Sequence, residues 1–134
     1  MSNQYSVKVQ WGGDHAPWNN AGNWTIGERP NQHVIDIQID STDNGASFNG
    51  TVTYSGEGAI GFQAHKTEGH TYSVKYQWGG DSAPWNQGGH FILGDRPNQA
   101  LIGFHAHSGD NGKTLHGTAQ YTGEGPIGFQ GTQH

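Results

Sequence analysis

The stretch Tyr5-Ser6-Val7-Lys8-Val9-Gln10-Trp11-Gly12-Gly13-Asp14 comes back later in the chain as Tyr72-Ser73-Val74-Lys75-Tyr76-Gln77-Trp78-Gly79-Gly80-Asp81. Its first half alternates. Tyr5, Val7, Val9 and Trp11 fall on one side and Ser6, Lys8 and Gln10 on the other, the period of two of a strand with one buried face. The two glycines then interrupt the strand, and Ala16-Pro17-Trp18 or Ala83-Pro84-Trp85 follows. Every residue of the stretch that recurs does so 67 positions on, half of the 134-residue chain. An indole beside two glycines at a strand end exposes a flat apolar face next to backbone that a ligand can approach closely. The stretch therefore reads as a sugar-binding loop, present twice.

The repeat extends outward from there. Residues 1–67 align with residues 68–134 without a gap, and roughly half the positions are identical. Arg29-Pro30-Asn31-Gln32 matches Arg96-Pro97-Asn98-Gln99, Gly56-Glu57-Gly58 matches Gly123-Glu124-Gly125, and Ile60-Gly61-Phe62-Gln63 matches Ile127-Gly128-Phe129-Gln130. Two copies are too few for a solenoid, so a closed pseudo-symmetric body is expected.

Each repeat reads as five short strands. In the first, residues 5–11 form one, and a loop rich in Gly, Pro and Asn follows over residues 12–22. The second strand is expected over residues 23–28, with Trp24 and Ile26 on one face. After the turn Arg29-Pro30-Asn31, a third strand over residues 32–40 carries Ile35, Ile37 and Ile39 in alternation. Asp43-Asn44-Gly45 is a turn, because Asn and Gly accept positive φ. The fourth strand spans residues 46–54, Gly56-Glu57-Gly58 turns the chain, and the fifth spans residues 60–65. The second repeat follows the same plan and ends on a strand over residues 127–132. No window has helical periodicity, and 23 glycines weigh against helices. Ten short antiparallel strands point to an all-β barrel or sandwich. The barrel is preferred because closure removes exposed edges. The connector over residues 67–71 is too short for an interdomain linker, so the two repeats are expected to share one core.

Composition narrows the partners. Leu, Ile, Val and Phe supply only about a sixth of the chain, a level at which disorder becomes a candidate. Disorder, however, goes with high net charge and few aromatics, and this chain has a net charge of −5 with five Trp, five Tyr and five Phe. Aromatics must then supply much of the core, at about 150–250 Å² each. Six Lys and Arg against eleven Asp and Glu make no basic surface for nucleic acid. No apolar run approaches the ~20 residues of a membrane span, and Met-Ser-Asn-Gln lacks a signal-peptide core, so no signal peptide is expected. With no cysteine there is no disulfide framework. A cytoplasmic location is expected, with release by lysis or non-standard export as the route outward.

Three duplicated groups carry the chemistry: a Trp-Gly-Gly loop, an Arg in a Pro-containing turn and a Glu between glycines. A neutral sugar needs an apolar platform for its C–H face, planar groups that bond adjacent hydroxyls, and open backbone N–H groups. Trp supplies the first, Arg and Glu the second, and the glycines the third. Taken singly, Trp11 and Trp78 read equally well as core residues capping the barrel, Arg29 and Arg96 as solvated turn charges, and Glu57 and Glu124 as ordinary hairpin residues. Their joint duplication among diverged neighbours favours the ligand reading.

The string Gln-Trp-Gly-Gly-Asp-x-Ala-Pro-Trp-Asn, with Gly-Glu-Gly-x-Ile-Gly-Phe later in each repeat, resembles the Oscillatoria agardhii agglutinin family of lectins. The likeness covers essentially the whole chain, and its length matches the two-repeat members. The resemblance implies one lectin domain over residues 1–134, a compact ten-stranded antiparallel barrel of two tandem repeats, and no metal or other cofactor. It also implies binding of the branched mannose core of high-mannose N-glycans on glycoproteins, viral envelope glycoproteins included, by a monomer. The family builds one site at each barrel end from both repeats. Carried over, one site uses Trp11, Gly12, Arg96, Glu124 and Gly125, and the other Trp78, Gly79, Arg29, Glu57 and Gly58. Two features depart from the family pattern. Ala59 stands where the second repeat has Pro126, leaving that turn looser. Glu28 and Asp95 precede the arginines and are placed to compete for their guanidinium groups, so the two sites are expected to differ.

Other candidates are weaker. His105 and His107 share a strand face and could chelate a metal, although Gln38 and Asp40 stand at the matching positions. Asp40 with Asp43-Asn44-Gly45 has the look of a calcium loop without the full pattern, and a hairpin turn explains it. A glycoside hydrolase would need paired carboxylates about 5–9.5 Å apart, with Asp14 and Asp81 the obvious partners for Glu124 and Glu57. A module that binds no sugar is the third class.

Overall fold

The computed structural model describes residues 3–29 and 31–134, so Met1 and Ser2 of the N-terminal reading and Pro30 of the Arg29 turn lie outside the described residues. It holds ten strands: β1 (Gln4–Gln10), β2 (Asn19–Thr25), β3 (Val34–Asp40), β4 (Ser47–Tyr54), β5 (Ala59–Glu68), β6 (Thr71–Gln77), β7 (Asn86–Ile92), β8 (Leu101–His107), β9 (Thr114–Tyr121) and β10 (Ile127–Gln133). They close into an antiparallel barrel in the order β1-β10-β9-β8-β3-β4-β5-β6-β7-β2.

That order interleaves the repeats. β1 pairs with β10 of the second repeat, while β6 of the second repeat pairs with β5 of the first. Where β3 meets β8, Gln38 faces His105. Where β2 meets β7, Thr25 faces Ile92. Each of these residues faces its own repeat copy, which in an antiparallel pair places a two-fold axis through the pair. The two seams are on opposite sides of the barrel, so one pseudo-dyad crosses it. Because neighbours alternate in direction all the way round, the ends of β1, β7 and β9 emerge at one rim and those of β6, β2 and β4 at the other.

The core is aromatic. All five Tyr and all five Phe are buried, together with Trp24, and aliphatic residues fill between them. Each buried Phe contributes about 1.5–3 kcal/mol over leaving it exposed. Trp24 packs against Phe104 and Phe129 with ring centroids 5.2 and 5.0 Å away. The tyrosine hydroxyls are paired, as burial of a polar group requires. Tyr5 donates to Gly112 O at 2.7 Å, Tyr72 to Gly45 O at 2.9 Å, and Tyr54 and Tyr76 bond each other. Burial pushes the Tyr5 and Tyr72 hydroxyls up to about 12.

Several sequence expectations need correction. β2 begins at Asn19, inside what reads as a loop, and ends at Thr25 instead of residue 28. Ile35 is not on the inner face with Ile37 and Ile39, because a bulge between Val34 and Asp36 resets the alternation. β5 runs to Glu68, so the connector over residues 67–71 is the tip of a β5–β6 hairpin.

The Asp43 turn is built as a cap. Asn44 and Gly45 take φ of 59° and 88°, and Asn111 and Gly112 take 65° and 91°. The Asp43 carboxylate accepts from Ser47 Oγ (2.6 Å), Ser47 N (2.8 Å) and Ser41 Oγ (2.8 Å). Asp110 accepts likewise from Thr114 N (2.9 Å), Thr114 Oγ1 (2.8 Å) and Ser108 Oγ (2.8 Å). These bonds to the ionised form hold both carboxyls down at about 2, from an ordinary 3.8. A depressed folded-state pKa stabilises the fold above the unfolded value and stops doing so as pH falls through the folded one. The Asp43→Asn, Asp110→Asn double variant should therefore melt below the parent at pH 7, with the gap closing between about pH 4 and pH 2. A thermal-melt series against pH checks this, and a gap independent of pH would refute it.

Candidate functional site

The Gln10 side chain shapes the loop that follows β1. Its amide donates to Ala16 O at 2.8 Å and to Asp14 O at 3.2 Å, and Ala16 N closes on Gly13 O. Gly12 and Gly13 take φ of 95° and 100°, conformations costly for any residue with a Cβ. The chain folded this way turns the Trp11 indole outward, 50% exposed, and Trp78 is exposed to the same degree. Neither is a core tryptophan; of the five, that role belongs to Trp24.

β1 lies beside β10, so Trp11 comes up against the β9–β10 turn that carries Glu124 and the β7–β8 segment that carries Arg96. Arg96 Nη1 donates to Glu124 Oε1 and Oε2 at 3.1 and 3.0 Å and to Gln99 Oε1 at 3.0 Å. Gln99 Nε2 donates to Thr122 O at 2.8 Å and to Glu124 Oε2 at 3.1 Å. The guanidinium lies 4.2 Å from the Tyr121 ring and 5.5 Å from the Trp11 ring, within cation–π range. Trp11, Arg96, Gln99, Glu124, Gly125, Pro126 and Ile127 line one open cleft of about 610 Å³. Gly12 lies on the other flank of the indole, in an adjoining 310 Å³ cleft with Gly13, Asp14 and Thr118.

The opposite rim repeats the arrangement. Arg29 Nη1 donates to both Glu57 oxygens at 3.0 Å and to Gln32 Oε1 at 3.1 Å. Its guanidinium is 4.3 Å from the Tyr54 ring and 5.9 Å from the Trp78 ring. Trp78, Gly79 and Ala59 line a 310 Å³ cleft there, and Gly58 follows Glu57 in the exposed β4–β5 turn. The structure thus brings Trp11 together with Arg96 and Glu124, and Trp78 with Arg29 and Glu57. Each group crosses the repeats.

The rims differ around the arginines. Glu28 Oε1 sits 3.6 Å from Arg29 Nε, whereas Asp95 makes no ion pair with Arg96 among the described residues. The shorter Asp95 instead accepts from the Tyr121 hydroxyl at 2.7 Å. Burial raises the Glu28 carboxyl, and Arg29 offsets part of that. The Glu124 and Glu57 carboxyls move the other way. Gln99 first and then Arg96 hold Glu124 below the ordinary glutamate range, and Gln32 and then Arg29 do the same for Glu57.

Sequence reasoning passed over Gln32 and Gln99, which orient the carboxylates, and Tyr54 and Tyr121, which floor the arginines. The glutamines were in plain view within the identical Arg-Pro-Asn-Gln blocks. Trp18 and Trp85 are also exposed, lying over Gly128 and Gly61 so closely that a Cβ there would meet them at 3.2 and 3.3 Å.

A family model described as the OAA-family lectin sugar binding domain matches residues 3–67 and again residues 70–134. The chain belongs to the OAA family of lectins. Lectin OAA of Planktothrix agardhii is 55% identical over 128 residues, 96% of this chain and 97% of its own. The crystal structure of the Pseudomonas fluorescens agglutinin superposes with a TM-score of 0.96 at 50% identity, covering 98% of this chain and 99% of that one. The Myxococcus xanthus hemagglutinin, solved in complex with a3,a6-mannopentaose, superposes at 0.95 with 47% identity. The match covers 98% of this chain and 50% of the hemagglutinin, so this chain spans half that relative's length.

In this OAA-family lectin the histidine pair has other partners. His105 lies between Gln38 and Asp40, 2.9 Å from the carboxylate, and His107 is 3.3 Å from Asp36. Among the described residues no group of three or more His, Cys, Asp or Glu is placed to hold a metal ion.

Proposed function

We propose that the chain binds the branched mannose core of high-mannose N-glycans at two sites, one at each rim, and crosslinks glycans without catalysis. One site consists of Trp11, Gly12, Arg96, Glu124 and Gly125, and the other of Trp78, Gly79, Arg29, Glu57 and Gly58. The observation that carries the reading is the duplicated grouping: an exposed indole from one repeat faces a bonded Arg–Glu pair from the other. The indole offers the ring face. The remaining lone pairs on the Glu oxygens, and the guanidinium N–H groups not bonded to Glu or Gln, offer planar acceptors and donors to neighbouring hydroxyls. The mannopentaose in the Myxococcus xanthus relative supports mannose as the sugar.

The lowered Glu57 and Glu124 carboxyls favour binding over hydrolysis, because a glycosidase acid needs its proton held at working pH. The partners are glycoproteins that carry such glycans, viral envelope glycoproteins among them. A monomer with opposed sites would gain about 10²–10⁴ in avidity on a multivalent surface. Calorimetric titration with a soluble oligomannose should saturate at two ligands per chain and leave the glycan uncut. Saturation at one ligand, or the appearance of shorter products, would overturn the reading.

A further inference from the structure

A second cleft, of about 460 Å³, adjoins the Trp11 cleft at the same rim and shares Arg96 and Gln99 with it. The β5–β6 hairpin forms its other wall, through Lys66, Gly69 and His70, and Asn98 completes it. Its lining includes no carboxylate among the described residues. Two of the chain's six Lys and Arg residues meet here, on a protein whose net charge is −5. Lys66 stands over the Tyr72 ring at 5.7 Å and makes no ion pair among the described residues. Arg96 spends Nη1 on Glu124 and Gln99, but among the described residues its Nε has no carboxylate such as Glu28 gives Arg29. Positive charge gathered in a concave patch of an acidic surface focuses the field on small anions. Lysine binds phosphate as a point charge, and the Asn98 amide adds a neutral donor.

We propose that this cleft takes a phosphate group borne on a mannose arm of the glycan held against Trp11, with Lys66 and Arg96 as its cations. The inference rests on the sugar-binding reading of the Trp11 cleft. It is confined to one rim, because Gln133 stands at the repeat position of Lys66 and Asn3 at that of His70. The two pseudo-symmetric sites therefore differ in ligand class: one prefers phosphorylated arms and the other is indifferent to them.

The test compares a phosphomannosylated oligomannose with its phosphatase-treated counterpart by calorimetry. It uses the full chain, Lys66→Gln, and Lys8→Gln as a charge control on the exposed face of β1. Inorganic phosphate alone is titrated in parallel, followed through the amide resonances of His70 and Asn98. One of the two sites should bind the phosphorylated glycan about three- to ten-fold tighter, an advantage lost in Lys66→Gln, kept in Lys8→Gln and weakened by salt. Equal affinity for the two glycans overturns the proposal, as does a preference that survives Lys66→Gln or disappears equally in Lys8→Gln. If inorganic phosphate shifts the cleft resonances in a Lys66-dependent way while the glycans bind alike, the cleft takes free phosphate and the arm-borne version is wrong. Failure of the dephosphorylated glycan to bind at either rim would instead sink the reading of the Trp11 cleft, which the inorganic phosphate titration does not depend on.

Discussion

The Trp11→Ala, Trp78→Ala double variant is expected to lose oligomannose binding at both rims and to melt at the same temperature as the parent. The two halves of that statement have separate causes. Each indole is half exposed and lies beyond the strand that precedes it. Truncation therefore removes little buried area and should change stability by no more than about 0.5 kcal/mol. For a bound sugar the same indole is the apolar surface facing the Arg–Glu pair. Removing a central aromatic of this kind costs about 2–4 kcal/mol of binding per site, or roughly 30- to 1,000-fold. The single variants should each titrate with one ligand per chain instead of two. They should lose agglutination far beyond the loss of one site, because crosslinking needs both rims. Trp24→Ala is the contrast: its indole is fully buried against Phe104 and Phe129, and its removal should cost about 3–5 kcal/mol of stability. Agglutination at full strength by the double variant would refute the platform role.

How far the sequence reveals this molecule depends on which physical signal each part leaves. Strands with one buried face leave a period of two, and β1 and β6 show it plainly. β2 hides for a definite reason. Its buried residues are Ala21 and Trp24, three apart, because the pairing with β1 shifts register between Ser6 and Lys8 and Gly22 takes φ of 79°. A bulge of this kind breaks alternation, and the Asn and Gly around it look like loop. β7 repeats the irregularity at Gly89. The same effect misplaces Ile35. The duplicated Trp, Arg and Glu were legible as a set, but their grouping across repeats came only through the family resemblance. It follows from β1 pairing with β10, a contact between the two ends of the chain that no local spacing encodes. Gln99 and Tyr121 were visible as recurring residues, yet their work depends on distances of 3.1 and 4.2 Å that only the folded rim supplies.

The same close strand contacts predict the largest effect on stability. Gly50→Ala should lower the melting temperature by about 10 °C or more, corresponding to at least ~3 kcal/mol at this chain length. Gly50 sits on β4 opposite Ile39 of β3, and a Cβ added there would lie 1.9 Å from Gln38 O. Gly117 repeats this on β9, with His105 O at 1.9 Å. The obstacle in both cases is backbone, so no rotamer change relieves it. One strand must move by more than an ångström, and in a closed barrel a strand moves only by disturbing the neighbour on its other side. For β3 that neighbour is β8, across the seam where Gln38 faces His105. A methyl group on β4 of the first repeat therefore strains the second repeat as well. Gly117→Ala should cost about as much by the mirror-image route, and the double variant should fail to fold. Gly109→Ala serves as the control, because that glycine has open space around it and no positive φ; it should melt within about 2 °C of the parent. If Gly50→Ala melts as close to the parent as Gly109→Ala does, β4 can separate from β3 without strain, and the close β3–β4 contact transmits nothing to the β3–β8 seam.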